Sequence, residues 1–224
     1  SIVMIMMNVS QHMREIDGAP IYNEIIDQCI DTIVNVFIKE DKRALFETVD
    51  ADGSFIDTPA GRMLNPGHSM ETAWFIMQEA VRRKDNALME KAIQMTEWSL
   101  QRGWDHKMGG IFYFLDLDNK PVLSNEWDMK LFWVHCEAMI ALTYSYWYTG
   151  NAEYMRGFEK IFKYCEKHFA DPGHPEWYGH LHRDGTPISQ IKGSAWKGPF
   201  HNVRAYMVLS QLFDKIKNGE EIGF

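Results

Sequence analysis

The chain has 224 residues, 46% of them apolar, with a formal net charge of −8 and a pI near 5.6. That is enough apolar material for a sizeable core, and an acidic balance with no basic cluster argues against a nucleic-acid or anionic-membrane partner. No apolar run reaches the ~20 residues of a membrane span, and the opening SIVMIMMNVSQHM lacks the basic flank and small-residue cleavage site of a signal peptide.

Periodicity and breakers predict about seven helices, over 1–16, 20–41, 66–84, 86–103, 129–149, 151–170 and 199–217. The first opens without a cap, which predicts that the chain begins inside a larger domain. Asp17-Gly18-Ala19-Pro20 ends it, and Thr149-Gly150-Asn151 separates the fifth helix from the sixth, as short turns between antiparallel neighbours do. The long connections carry the turn signals Asp52-Gly53, Asp118-Asn119 and Asp184-Gly185, 66 residues apart in both steps, each flanked by aromatic or β-branched runs and read as a hairpin. The unit is therefore hairpin, helix, helix, in an all-α single domain spanning 1–224. Successive αα-hairpins fit either an open solenoid or a closed toroid. Long connections gathered at one end favour the toroid.

His68, His135 and His201 recur at nearly the same spacing, 67 and 66 residues apart. In GRMLNPGHSMETAWF, Asn65 is an N-cap, Pro66 suits the first helical position, and His68 shares a face with Glu71 at i+3. WKGPFHNVRAYM repeats the grammar, with Pro199 opening the helix and Arg204 at i+3 from His201. Two helix starts thus aim imidazoles at one end of the bundle, where the positive helix terminus disfavours imidazolium and keeps a histidine able to act as a base. A lone histidine near a helix start is more often a packing residue; recurrence is what argues for function. In the middle unit, Trp133 and Glu137 are i and i+4 and share a face, while His135 points elsewhere or lies at the face's edge. Glu137 lies on a strongly apolar helix and needs a buried partner. Trp133, Trp177 and Trp196 offer flat faces suited to a sugar ring.

The remaining signals are bland. Cys29, Cys136 and Cys165 form an odd set without metal-ligand spacing, which favours reduced, buried thiols in a cytosolic protein. The 14 methionines read as core filler, and EAVRRK and NGEEIGF as solvated charge runs. HxxE is not a metal-site motif, no phosphate loop or GxSxG elbow is present, and nothing implies a cofactor.

GRMLNPGHSMETAWF, KLFWVHCEAMIAL, EWYGHLHRDG and AWKGPFHNVRAYM, in this order and spacing, resemble the N-acylglucosamine 2-epimerase family, whose more distant members include cellobiose 2-epimerases and mannose isomerases. The resemblance covers essentially the whole chain. It implies an (α/α)6 barrel of twelve helices, of which this chain is the C-terminal half or slightly more. It also implies that His68 and His201 are the general base and acid on opposite faces of an open-chain sugar, with Glu71 and Glu137 as their carboxylates. Trp133, Trp196 and Arg204 would bind substrate, and the histidine recurrence adds His135 to that set. The family arginine that holds the C1 oxygen would lie before Ser1, so this stretch alone is not expected to turn over. A further histidine of the cellobiose and mannose branches is missing from 1–9, which favours the N-acylglucosamine branch. The expected reaction interconverts N-acetylglucosamine and N-acetylmannosamine. The rivals are an aldose–ketose isomerase on the same scaffold, an inverting glycosidase, which needs two opposed carboxylates, and a non-catalytic binding module of the kind that gives renin-binding relatives their name. The expected partner is a small sugar, in the cytoplasm; a homodimer and a nucleotide effector stay open.

Overall fold

A computed structural model describes residues 2–220, which hold seven α-helices and six two-residue strands. The helices are α1 (Ile2–Asp17), α2 (Ile21–Thr32), α3 (Pro66–Arg83), α4 (Asn86–Gly103), α5 (Phe132–Thr149), α6 (Ala152–His168) and α7 (Phe200–Lys217). They pack as hairpins α1–α2, α3–α4 and α5–α6, while α1, α3, α5 and α7 also pack side by side. This gives two layers, with α2, α4 and α6 outside. α5 is apolar all round and buried along most of its length, as a helix covered on both sides must be, whereas α6 keeps a charged outer face. The core runs between the layers, and Met7, Met70, Met77, Met89 and Met95 are fully buried in it. α1 and α7, the ends of the inner layer, leave Ile5, Val9, Val203 and Met207 exposed. No helix among the described residues is long and apolar enough to cross a membrane.

Local signals place the helix ends. Asp85 and Asn151 accept backbone N–H bonds at the starts of α4 and α6, and Gly150, at φ 66°, closes α5 in the left-handed conformation that glycine adopts without strain. The helix expected over 20–41 stops earlier. Its β-branched run widens into a π-turn at Ile33–Phe37 and becomes a strand, β1 (Ile38–Lys39), which turns back onto β2 (Ala44–Leu45).

The hairpins expected at the three turn signals form differently. The turns at Gly53, Asn119 and Gly185 do close, and Leu181 bridges Pro187 across the last of them. The paired strands, however, join successive connections: β3 (Met63–Leu64) with β4 (Leu115–Asp116), and β5 (Lys130–Leu131) with β6 (His180–Leu181). Each connection is thereby laced to the next at the end of the array where α3, α5 and α7 begin. EAVRRK is also not a plain solvated run. Glu79 is buried and binds Arg14, Arg82 and Arg83, which together hold its carboxyl down at about 2 against the opposing effect of burial. Of NGEEIGF, positions 221–224 lie outside the described residues. All three cysteines are free and buried.

Candidate active site

The start of α3 fixes the first imidazole. The Asn65 side chain accepts the backbone N–H of His68 at 3.0 Å, and Pro66 is the first helical residue. Gly67 lets the neighbouring helix come close, because a Cβ there would lie 2.5 Å from the Trp133 ring on α5. Trp133 in turn sits 5.2 Å, centroid to centroid, from His68 and 5.3 Å from His201 at the start of α7. One indole therefore lies beside both imidazoles.

Each imidazole rests on its own carboxylate. His68 Nδ1 lies 3.1 Å from both oxygens of Glu47, and His201 Nδ1 lies 2.6 Å from Glu137 Oε1. An ionised carboxylate only accepts, so Nδ1 donates in both pairs and Nε2 is the ring nitrogen left to exchange a proton. Glu137 is fully buried and also accepts from Trp74 Nε1 and Arg204 Nη2, each at 2.7 Å. Arg204 Nη2 reaches Glu71 at 2.5 Å, with the guanidinium 4.1 Å from the Phe200 ring centroid.

Burial works to raise all three carboxyls, and their neighbours decide the outcome. For Glu47 the bond and charge of His68 outweigh burial and hold the group below its ordinary range. For Glu137, His201 and Arg204 do the same. Glu71 goes the other way: burial and the charge of Glu137 exceed the pull of Arg204 and leave it raised. Glu71, Glu137 and His201 could together ligate a cation, but the Arg204 guanidinium already lies between the two carboxylates.

An open cleft of about 430 Å3 is lined by His68, Glu71, Trp133, His201 and Arg204, with Met4, Ile5, Asn8, Val9 and His12 of α1 along one side. Glu137 supports this cleft from behind. Three expectations need correction. Glu71 is not the partner of His68; that is Glu47, while Glu71 pairs with Arg204. His135 does not face the cleft. It is 0% exposed, with Nδ1 against the Leu131 carbonyl and Nε2 accepting from Ile111 N–H, and burial pushes its pKa down to about 3. Trp196 is 88% exposed on the loop before α7, and Trp177 is packed against Phe169, so neither lines the cleft.

Sequence reasoning missed Glu47, Trp74 and the α1 wall. Glu47 has no periodic relation to His68, so nothing local could reveal it. Asn8 and His12 do carry a signal, the i, i+4 spacing from Met4.

The sequence profile of the N-acylglucosamine 2-epimerase (GlcNAc 2-epimerase) family matches residues 2–205. The N-acylglucosamine 2-epimerase of Bos taurus is 34% identical over 219 residues, covering 96% of this chain and 52% of its own length. The chain thus spans about half the length of the curated N-acylglucosamine 2-epimerases it matches. Among solved structures, a D-mannose isomerase superposes with a TM-score of 0.79 at 21% identity, covering 93% of this chain and 55% of that one. The cellobiose 2-epimerase of Bacillus thermoamylovorans B4167 gives 0.77 at 19%, covering 92% and 51%. At those identities the likeness concerns the fold, the double-layered helical array of (α/α)6 barrels. By sequence, this chain belongs to the N-acylglucosamine 2-epimerase family.

Proposed function

We propose that this chain supplies one half of the barrel of a sugar 2-epimerase that interconverts N-acetylglucosamine and N-acetylmannosamine. Inversion at C2 needs a proton removed from one face of the open-chain sugar and another delivered to the opposite face, so two groups near neutrality must flank that carbon. The carrying observation is the pair of imidazoles beside one indole, each with Nδ1 on a separate carboxylate and Nε2 left for the cleft. In this reading one Nε2 takes the C2 proton. The electron pair moves onto the C1 oxygen as an enolate whose C2 keeps its acetamido group, and the other ring, protonated, returns a proton to C2. Glu47 and Glu137 stabilise whichever ring is charged, and Trp133 packs against the C–H face of the sugar. General acid–base catalysis of this kind contributes ~10²–10⁴-fold, and positioning supplies the rest. Free buried thiols suit a reducing compartment such as the cytoplasm.

An aldose–ketose isomerase is the second reading, favoured by a relative named D-mannose isomerase in Marinomonas mediterranea, 26% identical over 148 residues. There the enediolate would be reprotonated at C1. Incubating the intact protein in D2O with N-acetylmannosamine, and separately with mannose, decides between them. The expected result is N-acetylglucosamine carrying deuterium at C2. Fructose from mannose, with no exchange of the acetamido sugar, would overturn the epimerase reading.

A further inference from the structure

The proton-transfer scheme gives no task to α1, yet α1 forms one side of the cleft with Met4, Ile5, Asn8, Val9 and His12. Asn8 is the buried polar member of this set. Its amide orientation is fixed by a relay that starts on the backbone. The Phe75 carbonyl can only accept, and Gln11 Nε2 donates to it at 2.9 Å. Gln11 Oε1 is thereby turned toward Asn8, whose Nδ2 donates to it at 3.3 Å. Asn8 Oδ1 is left as an acceptor with no protein partner among the described residues. α1 thus sets one oriented acceptor among the apolar side chains Met4, Ile5 and Val9.

We propose that this wall is the acylamino subsite: Asn8 Oδ1 accepts the N–H of the substituent at C2, and the acyl chain lies against Met4, Ile5 and Val9. The assignment rests on the epimerase reading for the placement of the sugar. The chemistry is that of an amide, polar at N–H and apolar at the acyl end. A plain 2-hydroxyl would satisfy the acceptor and leave the apolar side chains uncovered. Asn8 and Gln11 act here as binding and positioning residues and exchange no proton with C2.

The test is a substrate–enzyme cycle on the intact protein, titrating N-acetylmannosamine and its ester isostere 2-O-acetylmannose, which lacks the N–H, into wild type, N8L and N8S. Wild type is expected to prefer the amide by about tenfold, and both variants to bind the two ligands within about threefold of each other. N8S guards against misfolding of the leucine variant. In turnover, N8L should raise KM for N-acetylmannosamine about tenfold with kcat little changed, and Q11L, which frees the Asn8 amide to rotate, should give a smaller rise. Amide preference that survives in N8L or N8S, or its absence from wild type, overturns the subsite. Binding without turnover, with the preference lost in the variants, would instead sink the epimerase reading and leave the subsite standing.

Discussion

The two histidine arms reach the same cleft by different construction. His201 rests on Glu137, a carboxylate inside the helical core, tied at once to Trp74 and Arg204. His68 rests on Glu47, which comes from the connection between α2 and α3 and lies nearer the surface. Glu137 in the first arm is part of the packing, so disturbing that carboxylate disturbs the fold. The second is an attachment whose loss should be felt mainly in catalysis.

Loss of either imidazole carries the largest expected effect. H68A and H201A should each lower epimerisation by ~10²–10⁴-fold or more, with circular dichroism unchanged; similar activity to wild type in either would remove that arm from the mechanism. E137Q should come next, with kcat down about 100-fold and the folded state destabilised by about 1–3 kcal/mol in urea melts, because His201, Trp74 and Arg204 all lose a charged acceptor. E47Q should lower kcat about tenfold and leave the denaturant midpoint near wild type. If E47Q unfolds the protein as readily as E137Q, the contrast between the arms is wrong.

Acidity sharpens the same contrast. Glu47 is held below its ordinary value of 4.5 in the folded protein. Its contact with His68 therefore contributes stability above that unfolded pKa, and the contribution is lost as pH falls through the lower folded value. Acid melts of E47Q should show a slightly shallower decline than wild type below about pH 4.5. G67A should affect turnover least, since it pushes on Trp133 and hence on both arms together. It should cost about 1–3 kcal/mol of stability and raise KM severalfold without favouring either proton transfer.

What the sequence disclosed was set by local grammar. Asn65-Pro66 fixes a helix start through one cap bond and one φ angle, so the placement of His68 was legible, as was that of His201 after Pro199. α4 was predicted at its observed bounds because its apolar period runs unbroken between Asp85 and Gly103. Pairings between distant segments were not legible. Glu47 meets His68, and β3 meets β4, only because the connections are laced together in space. His135 shows the limit of a repeat: 67 residues after His68 and 66 before His201, it nonetheless lies in the core and not in the cleft. Trp196 matched by motif, yet its side chain is exposed on the loop before α7 and is not among the residues that line the cleft.

If His68 and His201 serve opposite faces of C2, removing either one separates proton exchange from inversion. H68A and H201A would each be incubated in D2O with N-acetylmannosamine and, separately, with N-acetylglucosamine, following deuterium at C2 by NMR and the inverted sugar by chromatography. The account predicts that neither variant inverts and that each still exchanges the C2 proton of one epimer only, the two variants retaining opposite epimers. Inversion at the wild-type rate in either variant, or loss of exchange from the same epimer in both, would contradict it.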